Sequence, residues 1–158
     1  MKKISFTLVI LSFFMNLSVY SAVGTDVKAP YAILMDFDSG KVLYEKNSTV
    51  AVPPSSMSKL MTIYYVFEKL KNGTYTLDTE FMVGPEAWKK AKNMNANSGS
   101  TMFLEYGEKV RIEDLIRGVI VNSGNDATIV LAENISGSEA KFVDELNNLA
   151  YRLGLKKT

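Results

Sequence analysis

The stretch Pro53-Pro54-Ser55-Ser56-Met57-Ser58-Lys59-Leu60-Met61-Thr62 marks the point where the chain turns from extended into helical backbone. A residue before proline is driven out of the helical region, and proline itself is tolerated at a helix start. Beyond the prolines Met57, Leu60, Met61, Tyr64 and Phe67 recur at helical spacing until Asn72-Gly73 ends the run. That spacing predicts a helix whose apolar stripe faces a core. Ser56 and Lys59, three residues apart at its start, share one face, so the amine is within reach of the hydroxyl. A serine hydroxyl is a weak nucleophile until a base takes its proton, and a lysine serves once desolvation or nearby cations lower its pKa. The apolar residues after Lys59 predict such desolvation, and the helix start offers backbone N–H groups to an oxyanion. With no His and no Cys in the chain, a Ser-Lys pair is the remaining conventional route to nucleophilic catalysis.

Upstream, Tyr31 to Met35 reads as a buried strand, Asp36 to Gly40 as a turn, and Lys41 to Glu45 as a returning, half-buried strand. Downstream, Thr79 to Val83 reads as a short strand and Ala87 to Lys92 as a short basic helix. Asn93 to Ser100 is a polar loop. Ile112 to Ile120 and Asp126 to Ala132 read as buried helices. Ser136-Gly137-Ser138-Glu139 fits a capping box ahead of a helix over Ala140 to Leu153, which Gly154 ends. A β-hairpin followed by helices predicts an α+β fold, with no repeat and no linker.

The 158 residues carry 47% hydrophobic and 22% charged side chains, the composition of an ordinary globular protein. A net charge of +1 gives no electrostatic case for nucleic acid. Without His or Cys, and without an acidic calcium-type loop, no metal or other cofactor is expected. Met1-Lys2-Lys3, an apolar run from Ile4 to Leu17 and the small residues around Ser21-Ala22 form a secretory signal peptide over residues 1–21. The alternative is a retained membrane anchor, for which the run is short. Its removal leaves residues 22–158, with 16 basic and 17 acidic side chains, outside the cytoplasmic membrane of a bacterium: periplasm or cell-wall space.

A second polar element, Ser123-Gly124-Asn125, lies between the apolar segments 118–121 and 127–131. Alone it reads as a helix-to-helix turn. Ser-x-x-Lys alone is also a weak signal, since Ser138-Glu139-Ala140-Lys141 matches it as well; Ser138 is better explained as a helix cap. Together, and in their contexts, the two elements carry more. Pro54 to Thr62, Leu115-Ile116-Arg117-Gly118, Asn122 to Ala127, Asp38-Ser39-Gly40 and the run from Gly137 through Leu155 resemble the D-alanyl-D-alanine carboxypeptidases, the low-molecular-mass penicillin-binding proteins. The likeness spans residues 29 to 158.

The resemblance implies a β-lactamase/transpeptidase-like α+β fold, here a helical subdomain plus part of an antiparallel sheet. It implies that Ser56 attacks the penultimate D-Ala carbonyl of a peptidoglycan pentapeptide and forms an acyl-enzyme. Lys59 would take the serine proton, Ser123 would relay a proton to the leaving D-Ala, and Asn125 would hold Lys59 and the substrate amide. β-Lactams would acylate the same serine. The family's third motif, Lys-Thr-Gly on an edge strand, has no counterpart: Lys157-Thr158 lacks the glycine. The chain is therefore expected to be the N-terminal portion of such a catalytic domain, short of one oxyanion donor. Two alternatives stand beside this: a catalytically inert peptidoglycan-binding remnant, and a class A β-lactamase relative. The latter enzymes usually have Ser-Asp-Asn where this chain has Ser123-Gly124-Asn125. Attachment to a membrane is left open.

Overall fold

The computed structural model describes residues 27–92 and 99–156. The signal peptide expected over 1–21 and the loop positions 93–98 lie outside the described residues. The chain divides into two units, residues 1–51 and 52–158. In the first, β1 (Ala32–Met35) pairs antiparallel with β2 (Val42–Lys46), Ala32 opposite Lys46, with a register shift between Leu34 and Met35. The turn is built by Asp36, whose carboxylate accepts from the Ser39 N–H and hydroxyl. Ile33, Leu34, Met35 and Leu43 are exposed, so the strand expected over 31–35 is present but not buried.

The second unit opens with a 3-10 turn (Ser55–Ser58) that runs into α1 (Lys59–Lys71). β3 (Glu80–Met82) pairs antiparallel with β4 (Lys109–Arg111), Phe81 opposite Val110. Between them comes α2 (Pro85–Lys92), and after them α3 (Ile112–Asn122), α4 (Asn125–Ser136) and α5 (Glu139–Arg152). The apolar α4 is central: it packs against α1, α2, α3, α5 and β3. Val66, Val83, Ile112, Leu115, Val130 and Leu131 are fully buried in the main core, each such side chain stabilising the fold by roughly 1.5–3 kcal/mol. A smaller cluster of Tyr65, Ala132, Phe142 and Leu149 holds α5 in place, with the Tyr65 and Phe142 rings edge to face at 5.6 Å.

One local expectation is corrected, and a choice between two caps is decided. α1 buries Thr62, Ile63, Tyr65 and Val66, whereas Met57, Leu60, Tyr64 and Phe67 are exposed, Leu60 by 72%. The helix is apolar round most of its circumference, so periodicity alone did not select the buried side. The cap of α5 is Ser138, whose side chain accepts from the Lys141 N–H at 3.2 Å. Ser136 instead ends α4 and donates to Glu145 at 2.8 Å. Gly137, with φ of +80°, sits between them in the left-handed conformation that terminates a helix.

Candidate active site

Ser55 has a φ of +52°, a left-handed conformation that costs a non-glycine residue on the order of 1 kcal/mol. It bends the chain between the prolines and the helix. The Met57 N–H donates to the Pro54 carbonyl at 3.0 Å, and the Ser58 hydroxyl donates to the Ser55 carbonyl at 2.8 Å. These bonds close one turn with Ser56 at the exposed N-terminal end of a continuous helix. Backbone N–H groups at such an end point outward, away from the helix.

Lys59 is half-buried, and its ammonium makes three hydrogen bonds. It donates to the Ser123 carbonyl at 2.8 Å, the Ser123 hydroxyl at 2.9 Å and Asn125 Oδ1 at 2.7 Å. An ammonium has three protons to give, so all its donors are spent on one junction. The Ser123 hydroxyl in turn donates to Ser56 Oγ at 3.1 Å. The structure thus brings Ser56, Lys59, Ser123 and Asn125 together. It differs from the sequence expectation in one respect: Ser123 Oγ stands between the amine and Ser56, and Lys59 makes no direct hydrogen bond to Ser56. Burial pushes the Lys59 amine below the ordinary lysine range, and the positive charge of Lys90 on α2 adds to the effect. From sequence, Lys90 was assigned to a solvated basic face; it is exposed, yet its charge bears on Lys59.

The junction between α3 and α4 supplies the acceptors. α3 ends at Ser123 in the left-handed conformation, φ +54° and ψ +34°. Gly124 follows, its N–H on the Gly118 carbonyl at 3.0 Å, and α4 begins at Asn125. The chain therefore reverses within two residues, which leaves the Ser123 carbonyl and hydroxyl and the Asn125 amide all facing Lys59. On the opposite side the junction is backed by residues 99–104. The Asn125 N–H donates to the Ser100 carbonyl at 2.9 Å, and the Asn122 amide donates to the Thr101 carbonyl at 2.6 Å. Met102 lies directly over Gly118, where a Cβ would fall 1.8 Å from its sulfur.

Asp126 fastens this backing and was missed from sequence, where it stood only as the first residue of a buried helix. It is wholly buried. Its carboxylate accepts from the Thr101 hydroxyl at 2.5 Å, from the Met102 N–H at 2.9 and 3.1 Å, from the Leu104 N–H at 3.2 Å and from the Ala127 N–H at 2.9 Å. The signal was a carboxylate in the first turn of an otherwise apolar helix, which must find donors once buried.

A groove of about 450 Å³ opens beside Ser56 and Lys59, with Thr62, Thr128, Ile129, Phe142 and Leu146 among its walls. A hydroxyl at a helix start, a half-buried amine and a second hydroxyl between them are an arrangement through which a proton can pass.

The family model for D-alanyl-D-alanine carboxypeptidase matches residues 18–158. The D-alanyl-D-alanine carboxypeptidase DacC of Escherichia coli is 43% identical over 126 residues, which cover 80% of this chain and 31% of that protein. Penicillin binding protein 5 from Haemophilus influenzae has a solved structure that superposes with a TM-score of 0.74 at 40% identity, covering 85% of this chain and 38% of that one. Penicillin-binding protein D2 from Listeria monocytogenes, solved in a cefotaxime-bound form, is 28% identical with a TM-score of 0.63, over 80% of this chain and 47% of its own. The chain spans about a third of the length of the curated relatives at its level of identity. With its motifs in order and its helices and short antiparallel strands in the penicillin-binding fold, this chain belongs to the D-alanyl-D-alanine carboxypeptidase family.

Proposed function

We propose that residues 22–158 form the Ser56-bearing part of a serine-type D-Ala-D-Ala carboxypeptidase that works on peptidoglycan stem peptides outside the cytoplasmic membrane. The observation that carries this is the continuous chain from Asn125 and Ser123 through the Lys59 amine, and from Ser123 Oγ to Ser56 Oγ. The basic start and short apolar run at the N-terminus support export as a cleaved signal peptide.

The hydrogen-bond directions define the proton path. In the charged state the ammonium fills three acceptors, and Ser123 points its proton at Ser56. When Lys59 is neutral, a lysine keeps two N–H donors for the Ser123 and Asn125 carbonyl oxygens, and its lone pair faces Ser123 Oγ. Ser123 then donates to Lys59 and accepts from Ser56. In that state Ser56 Oγ attacks the penultimate D-Ala carbonyl carbon. Its proton passes to Ser123, and the Ser123 proton passes to Lys59. Collapse of the tetrahedral species breaks the peptide C–N bond, and the proton returns by the same path to the leaving D-Ala amine. Water then attacks the Ser56 ester, gives its proton to the relay and releases the shortened peptide, restoring the serine. Burial of Lys59 and the nearby Lys90 charge favour the neutral amine that starts the cycle. A β-lactam carbonyl would enter by the same attack, and its closed ring would keep the leaving amine tethered. Residues 22–158 taken alone carry no Lys-Thr-Gly, and an oxyanion hole assayed without one of its donors works about a hundred- to a thousand-fold more slowly. Turnover of peptide by these residues alone is therefore expected to be slow, and a lasting adduct is the sensitive readout.

Intact-mass measurement after exposure to benzylpenicillin tests the proposal. One added penicillin on the wild-type chain, absent from Ser56→Ala, is expected. An adduct that survives Ser56→Ala, or none on a chain that circular dichroism shows to be folded, would overturn it. Fast penicillin hydrolysis without a retained adduct would move the chain to the β-lactamase reading.

A further inference from the structure

We infer that Asp126 is a positioning residue for the site: by pinning residues 99–104 behind the α3–α4 junction, it holds Asn125 on Lys59 and keeps water from the amine. The inference rests on the proposed role of Lys59 as base, and it concerns a residue that touches neither substrate nor nucleophile.

The geometry runs in three steps. A carboxylate offers about four acceptor sites, and Asp126 fills them from the Thr101 hydroxyl and the N–H groups of Met102, Leu104 and Ala127. Three of these four donors belong to the 99–104 segment, and among the described residues no cation pairs with the carboxylate. An unpaired buried carboxylate is strongly disfavoured, so the buried charge ties the segment to α4. The segment then fixes Asn125 from behind. Ser100 accepts the Asn125 N–H, and Gly99 lies so close that a Cβ there would sit 2.6 Å from Asn125 Nδ2. Gly99 also has a φ of +72°, so only glycine brings the backbone this near without strain. With one edge of its amide against Gly99, Asn125 turns Oδ1 toward the Lys59 amine. Freed from this backing, the junction would shift and water would reach the amine.

Strain supports the same assignment. Phe103, a bulky and exposed residue, has a φ of +61°, a conformation that persists only when its surroundings fix it. Its N–H donates to the Thr101 hydroxyl at 2.9 Å, the same hydroxyl that donates to Asp126. The carboxylate therefore holds a loop conformation that the loop's own residues disfavour.

The test needs a readout that ordinary destabilisation leaves alone and that requires no turnover. Chains carrying ¹³C-labelled lysine report the titration midpoint of Lys59 directly by NMR. Two substitutions separate the clamp from the charge: Asp126→Asn turns an amide donor toward donors, and Thr101→Val removes one donor while leaving the carboxylate in place. Burial first and Lys90 second hold the Lys59 amine low, and neither substitution touches Lys90. Both variants are expected to raise the Lys59 midpoint toward that of an ordinary lysine, Asp126→Asn by more. A rise of one pH unit would cut the neutral fraction, and with it penicillin adduct formation near pH 7, about tenfold. The rate limb of adduct formation should move to higher pH by the same amount. An unchanged midpoint in folded Thr101→Val would overturn the inference, as would adduct formation that falls equally at every pH. Should Asp126→Asn fail to fold, Thr101→Val decides alone. Failure of the wild-type chain to form any adduct would count against the acyl-enzyme proposal only, because the midpoint of Lys59 is read without substrate.

Discussion

The two sides of the candidate site are held in different ways. At the α3–α4 junction Gly124, Asp126 and Ala127 are buried, and the backbone is pinned from behind by residues 99–104. On the Ser56 side every residue from Ala51 to Ser58 is exposed, and the turn is closed by its own local hydrogen bonds. One side is therefore a fixed set of acceptors, and the other is a presented hydroxyl. Lys59 joins them, with its stem on α1 and all three donors on the junction. The comparison teaches that Ser56 is aligned with the junction through the Lys59 and Ser123 hydrogen bonds more than by packing around the serine. Left-handed serines at Ser55 and Ser123 flank the two sides, so both approaches to the site use backbone that other sequences would avoid.

Cutting the tether should have the largest effect. Lys59→Met keeps the apolar stem and removes the amine; penicillin adduct formation is expected to fall by about 10²- to 10⁴-fold while circular dichroism stays native. An unchanged rate, read by timed intact-mass measurements, would mean that the two sides act independently. A pair of core tests sharpens the contrast between packed and presented surfaces of α1. Ile63→Ala removes a buried side chain and should cost roughly 2–5 kcal/mol in urea unfolding. Leu60→Ala, on the exposed stripe, should stay within about 0.5 kcal/mol. Equal losses would show that the exposed stripe is covered in solution. Farther from the junction, Ser138→Ala should cost about 1 kcal/mol through loss of the α5 cap, seen as a lowered Tm.

The smallest effect concerns pH. The Tyr65 hydroxyl, followed by that of Ser136, holds the Glu145 carboxyl below the usual carboxylate range. A carboxyl lowered on folding stabilises above its unfolded pKa and loses that contribution as pH falls through the folded one. Glu145→Gln should therefore narrow the stability gap between neutral and acid pH, and an unaltered acid limb in thermal melts would rule the contribution out.

Much of this architecture was legible in the sequence because it depends on local pattern. The hairpin turn at Asp36 to Gly40, the helix starting behind Pro53-Pro54 and the break at Ser123-Gly124 are each written in a few adjacent residues. The spacing of Ser56 and Lys59 placed them on consecutive turns. What escaped depends on contacts between distant segments. The buried side of α1 was misjudged because apolar residues surround the helix, and only the position of α4 selects Ile63 and Val66. For α5 the sequence offered both a capping box from Ser136 and a cap at Ser138, and only the left-handed Gly137 decides for Ser138. The place of the Ser123 hydroxyl between Lys59 and Ser56 was hidden for a different reason: the spacing of Ser56 and Lys59 says that they are neighbours, not where the amine's protons go. Asp126 stood only as the first residue of a buried helix, because three of its four donors lie 22 to 25 residues earlier in the chain.

The Lys59–Ser123 contact joins residues 64 positions apart. Closing a loop of that length has an entropic cost that local pairing avoids, and contacts of long sequence separation form slowly. The α3–α4 junction, by contrast, closes between adjacent helices and can form early. During synthesis, which releases the N-terminal part first, Lys59 leaves the ribosome long before its three acceptors exist. The hydrogen-bonded cluster is thus a late product of folding, and Ser56 stays without its Ser123 partner until the chain has passed Asn125.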